Sequence, residues 1–165
     1  MKTLILYASK YGATKALAER IAEKLPGAFA ANVHDGAADL AAYDAVILGT
    51  PIYMGRPRKE MKEFAQKNLA ALLQKKTGLF LCCLQDENDS VSRQFQVAFP
   101  KELRDHASVL AALGGVLDKE KLKAFDGLIM RIVSANLPSK DKALSTVSEE
   151  RIDRLVELMT ATPLP

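Results

Sequence analysis

Three short apolar runs, each ending abruptly in a polar, glycine- or proline-bearing stretch, constrain this chain more than any other feature. Leu4-Ile5-Leu6-Tyr7 gives way to Ser9, Ala45-Val46-Ile47-Leu48 to Gly49-Thr50, and Gly78 to Leu84 to Gln85-Asp86-Glu87-Asn88-Asp89. An apolar run without polar alternation suits a strand buried on both faces, which is the condition of a parallel sheet covered by helices. Helical patterns follow. Leu17, Ala18, Ile21, Ala22 and Leu25 share one stripe of a helix over 14–25, which Pro26-Gly27 stops. Met61, Phe64, Ala65, Leu69 and Leu72 do the same over 58–74.

The rest of the chain completes the alternation. Residues 2–8, 28–33, 45–48, 78–84 and 108–116 read as five strands. Asp39–Tyr43 is at most a short helix, residues 90–98 a longer one, and a further turn lies between Pro100 and Asp105. The last helix runs from about Ser148 to Met159 behind a serine cap. Strands alternating with helices predict an α/β fold, a doubly wound five-stranded parallel sheet. The whole of 1–165 reads as a single domain of ordinary size. A long segment, 117–147, stands between the fifth strand and the last helix. Within it Leu122, Phe125, Leu128, Ile129, Ile132 and Val133 form an apolar stripe at helical spacing, and a loop from Ser134 to Val147 follows. Such a segment is either an extra helix on the sheet edge, or a lid, substrate wall or membrane-surface helix over 120–133.

Ligands of open parallel sheets bind beyond the carboxyl ends of the strands. Three loops lie there: 9–14, 50–57 and 85–89. The first, Ser9-Lys10-Tyr11-Gly12-Ala13-Thr14, opens a helix, so free N–H groups and the helix dipole favour an anion. Ser9 and Thr14 add hydroxyls, and Gly12 allows close backbone approach. The loop has neither the G-x-x-x-x-G-K-[ST] of triphosphate sites nor the G-x-G-x-x-G of dinucleotide sites. The second, Thr50-Pro51-Ile52-Tyr53-Met54-Gly55, offers a solvent-facing tyrosine as a stacking surface for a flat ring.

The pair Tyr7-x-Ser9-x-x-Gly12-x-Thr14 and Gly49-x-Pro51-Ile52-Tyr53-x-Gly55 resembles the flavodoxin-like FMN proteins. That resemblance implies FMN as cofactor. Ser9, Lys10, Tyr11, Gly12, Ala13 and Thr14 would hold its phosphate, and Thr50, Pro51, Ile52, Tyr53, Met54 and Gly55 would cover one side of the flavin. Leu84, Gln85 and Asp86 would cover the other side or its pyrimidine edge, and a backbone group of Met54 or Gly55 would face flavin N5. Within the family the pattern is similar to the menaquinone-dependent protoporphyrinogen oxidase branch, through the segment Phe125 to Val133. Leu117 to Lys123 departs from the aromatic- and arginine-rich stretch of that branch.

The resemblance therefore implies an oxidoreductase, in the finer reading a protoporphyrinogen dehydrogenase of heme biosynthesis passing electrons to a quinone. The alternative is a flavodoxin carrying electrons between redox proteins. A receiver domain is excluded by Ala8-Ser9 and Gly49-Thr50, where acidic residues would stand. The formal net charge of +3 is too small to argue for nucleic acid. Arg56, Arg58, Lys59 and Lys62 follow the second loop, partly offset by Glu60 and Glu63, and would attract an anionic substrate or surface. Cys82 and Cys83 read as small buried side chains facing opposite ways. His34 and His106 read as surface residues, and no metal site is expected. With neither a leader nor a spanning run in the sequence, a cytoplasmic location is expected.

Overall fold

The computed structural model describes residues 1–36, 39–83, 88–118 and 143–161. Its main sheet has the strands β1 (Thr3–Tyr7), β2 (Ala28–Asn32), β3 (Ala45–Tyr53), β5 (Lys76–Cys82) and β6 (Val109–Ala112) in the order β2-β1-β3-β5-β6, all parallel. The helices are α1 (Ala13–Lys24), α2 (Lys59–Lys67), α3 (Leu69–Leu72), α4 (Asn88–Ala98), α5 (Lys101–His106) and α6 (Glu149–Thr160). This is the doubly wound parallel sheet expected of the apolar runs.

Alternation along the buried strands divides the core in two. Leu4, Leu6, Val46, Leu48, Leu79 and Leu81 point to one face, where Met61, Ala65, Leu72, Phe95, Phe99 and Leu103 meet them. Ile5, Tyr7, Ile47, Phe80 and Val109 point to the other, against Leu17, Ile21, Ile152, Leu155 and Met159. The adjacent cysteines follow the same rule. Cys82 joins the second core and Cys83 the first, and neither forms a disulfide. Gly49 is required by packing, since a Cβ there would overlap the ring of Phe80.

Four expectations change. The 50–57 stretch is not a loop: β3 continues through Thr50, Pro51 and Ile52 to Tyr53, then turns back into β4 (Arg56–Pro57) with Tyr53 opposite Arg56. Met54 and Gly55 form the two-residue turn, at φ 51° and 72°. Positive φ at both central residues matches the twist of a tight hairpin. The single helix over 58–74 breaks into α2 and α3 at Asn68, whose side-chain amide donates to the Phe64 carbonyl at 2.9 Å in competition with the helical ladder. The fifth strand ends at Ala112, and Gly114 at φ 84° turns the chain into β7 (Val116–Asp118). β7 pairs antiparallel with β8 (Ala143–Ser145), part of what reads in sequence as loop. The apolar stripe from Leu122 to Val133 lies outside the described residues. Ser148 caps α6 as expected, its hydroxyl accepting from the Arg151 N–H at 3.3 Å. Among the described residues no helix is long and apolar enough to cross a membrane.

Candidate functional site

The first two loops meet because β1 and β3 are neighbours in register, with Tyr7 beside Gly49 and the Ala8 N–H donating to the Gly49 carbonyl at 3.0 Å. The chain therefore leaves both strands at the same carboxyl edge. β5 lies on the other side of β3, with Cys82 beside Pro51, and delivers the third stretch to that edge. Leu84, Gln85 and Asp86 themselves lie outside the described residues.

In the first loop, Ser9 Oγ accepts from the Gly12 N–H at 3.0 Å and so shapes the turn. Gly12 at φ 91° is the N-terminal cap residue of α1, and no side chain caps the helix. The N–H groups of a first helical turn have no intrahelical acceptor. This turn also holds no acidic residue that would compete for an anion. Thr14, in the same turn, is 1% exposed, and its hydroxyl makes no hydrogen bond among the described residues. A buried hydroxyl without a partner is costly, so natural structures seldom keep one without a use. Uncapped N–H groups and a left-handed glycine, with no acidic residue beside them, fit a phosphate.

In the second loop Thr50 is fully buried. Its hydroxyl donates to the Pro51 carbonyl at 3.3 Å and accepts from the Arg58 N–H at 3.1 Å, which ties the hairpin to the start of α2. Pro51 and Ile52 are half-buried, and Met54 and Gly55 are exposed at the tip. Tyr53 departs from expectation. Instead of facing solvent, its ring packs on Tyr11 at 6.0 Å between centroids and 56° between planes. Lys10 Nζ stands 5.1 Å from the Tyr11 ring and 5.2 Å from the Tyr53 ring, within cation–π reach of both. Lys10 and Tyr11 thus build the contact between the loops, a role invisible in a stretch that reads only as a phosphate cradle. Burial raises the Tyr7 phenol above its ordinary value, with Lys15 opposing, so it stays protonated at neutral pH.

A third group is not foreseen by the motifs. Glu60 Oε1 takes His34 Nε2 at 3.0 Å and Arg58 Nε and Nη2 at 2.8 and 2.5 Å. Burial pushes the Glu60 carboxyl up, but its own backbone N–H, His34 and Arg58 outweigh that and hold it below its ordinary value. Only the strand order brings residue 34 to residue 60. The other histidine, His106, contacts the Lys75 carbonyl at 2.8 Å. Among the described residues no group of His, Cys, Asp and Glu could hold a metal ion.

Known proteins share this architecture. The flavodoxin, WrbA-like protein from Agrobacterium tumefaciens is 28% identical, with a TM-score of 0.52 over 68% of this chain and 81% of that one. Oxidised flavodoxin 1 from Bacillus cereus is 18% identical, with a TM-score of 0.51 over 75% and 91%. The flavoprotein from Lactobacillus acidophilus NCFM, solved in complex with FMN, is 21% identical, with a TM-score of 0.50 over 68% and 90%. No curated protein matches the sequence. The family model described as the flavodoxin domain matches residues 4–143, far more than half of the chain, and the protein belongs to that family.

Proposed function

We propose that the protein binds FMN at the carboxyl edge of its sheet and acts in redox chemistry. The observation that carries this is the first turn of α1, which opens on Gly12 at φ 91° at the carboxyl edge of the sheet with no side-chain cap and no acidic residue. Thr14, Ser9 and the N–H groups after Gly12 hold the phosphate, whose charge the helix end favours. The backbone of Met54 and Gly55, on the hairpin that the Tyr11–Tyr53 contact holds against the first loop, walls the ring. Bound there, FMN supplies the electron-transfer chemistry, and the chain orients it and sets its surroundings.

The test is direct. Purified protein carries a flavin absorbance spectrum, or quenches the fluorescence of added FMN. Absence of binding at micromolar FMN sinks the reading.

Two finer roles remain as proposals. The protoporphyrinogen dehydrogenase role is supported by the amphipathic sequence 125–133 and by the cations Arg56, Arg58, Lys59 and Lys62 after the second loop, which suit an anionic substrate, and the carrier role by the exposed hairpin tip, Met54 and Gly55, beside the site. Anaerobic oxidation of protoporphyrinogen with a menaquinone analogue separates them: turnover establishes the enzyme, and its absence in FMN-loaded protein leaves the carrier.

A further inference from the structure

Of the two outer strands of the main sheet, β6 is guarded and β2 is open. At β6 the Arg151 guanidinium donates to the Ala112 carbonyl at 3.0 Å. β2, Ala28-Phe29-Ala30-Ala31-Asn32, pairs among the described residues with β1 alone, and it carries no charge, proline or bulge of the kind that blocks an open edge. The Gly27 carbonyl accepts from the Thr3 N–H and the Val33 N–H donates to the Tyr7 carbonyl. The odd-numbered residues of β2 therefore turn their backbone groups to β1, and Ala28, Ala30 and Asn32 turn theirs outward. Two of the outward groups are used locally: the Ala28 N–H donates to the Leu25 carbonyl and the Asn32 carbonyl accepts from the Asp35 N–H, each at 3.0 Å. Among the described residues the Ala28 carbonyl, both groups of Ala30 and the Asn32 N–H stay open. This remainder is its own complement under a two-fold axis through Ala30. Laid antiparallel, Ala30 exchanges both hydrogen bonds with its twin, and each Asn32 N–H meets the partner's Ala28 carbonyl. An axis at Phe29 or Ala31 would instead set the occupied Ala28 N–H or Asn32 carbonyl against Ala30. The same axis puts Phe29, 59% exposed, opposite the partner's small Ala31 on the face where Ala31 packs on the first core. No charged residue stands between Leu25 and Val33 to repel its twin.

We infer that β2 is the seat of a homodimer in which the two parallel sheets join edge to edge into one. The occupant is a second copy of this chain, because a copy brings the matching pattern of open groups and the small residue that Phe29 packs against, and a two-fold pair closes both edges at once. The contact is hydrogen-bonded and apolar, so salt leaves it intact. It uses no residue of the proposed FMN site and forms with or without the cofactor.

The full chain is sedimented at concentrations from about 10 μM to about 1 mM, in low and high salt, and a monomer–dimer equilibrium at both is the expected result. Ala30→Pro removes an N–H that the subunit itself does not use, and Phe29→Lys plants a charge on the open edge. Each weakens dimerisation by about tenfold or more, while circular dichroism at the lowest concentration matches that of the parent. If Ala30→Pro fails to fold, Phe29→Lys decides. Oxidation reads the register. Ala30→Cys lies about 5.5 Å from its twin across the axis and cross-links into a dimer, whereas Phe29→Cys, whose twin is a diagonal neighbour about 7–8 Å away, does not. A monomer throughout the range, a dimer indifferent to Phe29→Lys, growth beyond a dimer, or cross-linking through Phe29→Cys and not Ala30→Cys overturns the inference.

Discussion

Thr14 shows what a single position reveals and hides. Its place after Gly12 makes it a candidate phosphate donor in the sequence, but only the fold shows that it is buried and unsatisfied. Replacing it by valine removes the donor without breaking any bond of the described protein. Thr14→Val therefore weakens FMN binding by about tenfold or more, as loss of a hydrogen bond to a charged group does, while the melting temperature of the unloaded protein rises, because the variant sheds the unsatisfied hydroxyl. Fluorescence titration and thermal denaturation read the two halves. Glu60 is the opposite case: nothing in its local sequence marks it, and its role comes from reaching Arg58 and His34 together. Its carboxyl is lowered in the fold, so the stability it contributes is present above the ordinary glutamate value of about 4.3 and lost as pH falls through the lower folded value. Glu60→Gln is accordingly less stable at neutral pH and loses less on acidification. Denaturant melts at pH 7 and below 4 check the sign.

Among the elements, those legible in the sequence are the ones whose packing sets their pattern. β1, β3 and β5 are apolar on both faces because both faces are covered, and α1 and α6 carry an apolar stripe because one side is. The hairpin was hidden because Thr50-Pro51-Ile52-Tyr53 carries Pro and Gly neighbours that read as loop. Its turn lacks the usual Asn-Gly pair, with Met54 at the position where φ is positive. Met54→Asn suits that conformation better and stabilises the chain by about 0.5–1 kcal/mol, read as a raised melting temperature. A fall in melting temperature would show that Met54 earns its strain through contacts within the chain.

For the molecule as a whole, the strand order β2-β1-β3-β5-β6 explains why the site was partly readable. The two motifs lie on neighbouring strands, so their loops had to meet, whereas the Tyr11–Tyr53 contact and the Glu60 group depend on side-chain directions that no motif encodes. The β7–β8 pair has a similar consequence. Val116 lies opposite Ser145 and Asp118 opposite Ala143, so residues 119–142 begin and end at adjacent points. Replacing 119–142 by a short Gly/Ser linker leaves FMN binding intact, and abolishes turnover if the enzyme role holds. Loss of FMN binding would assign the segment to the cofactor site itself. On the proposed FMN site, the cofactor also sets how much of the protein survives in the cell. A fold that binds its cofactor only when native gains stability with each increment of free ligand. In a riboflavin-starved cell the unloaded chains open more often and are degraded first, so the pool of protein shrinks to match the vitamin that can fill it.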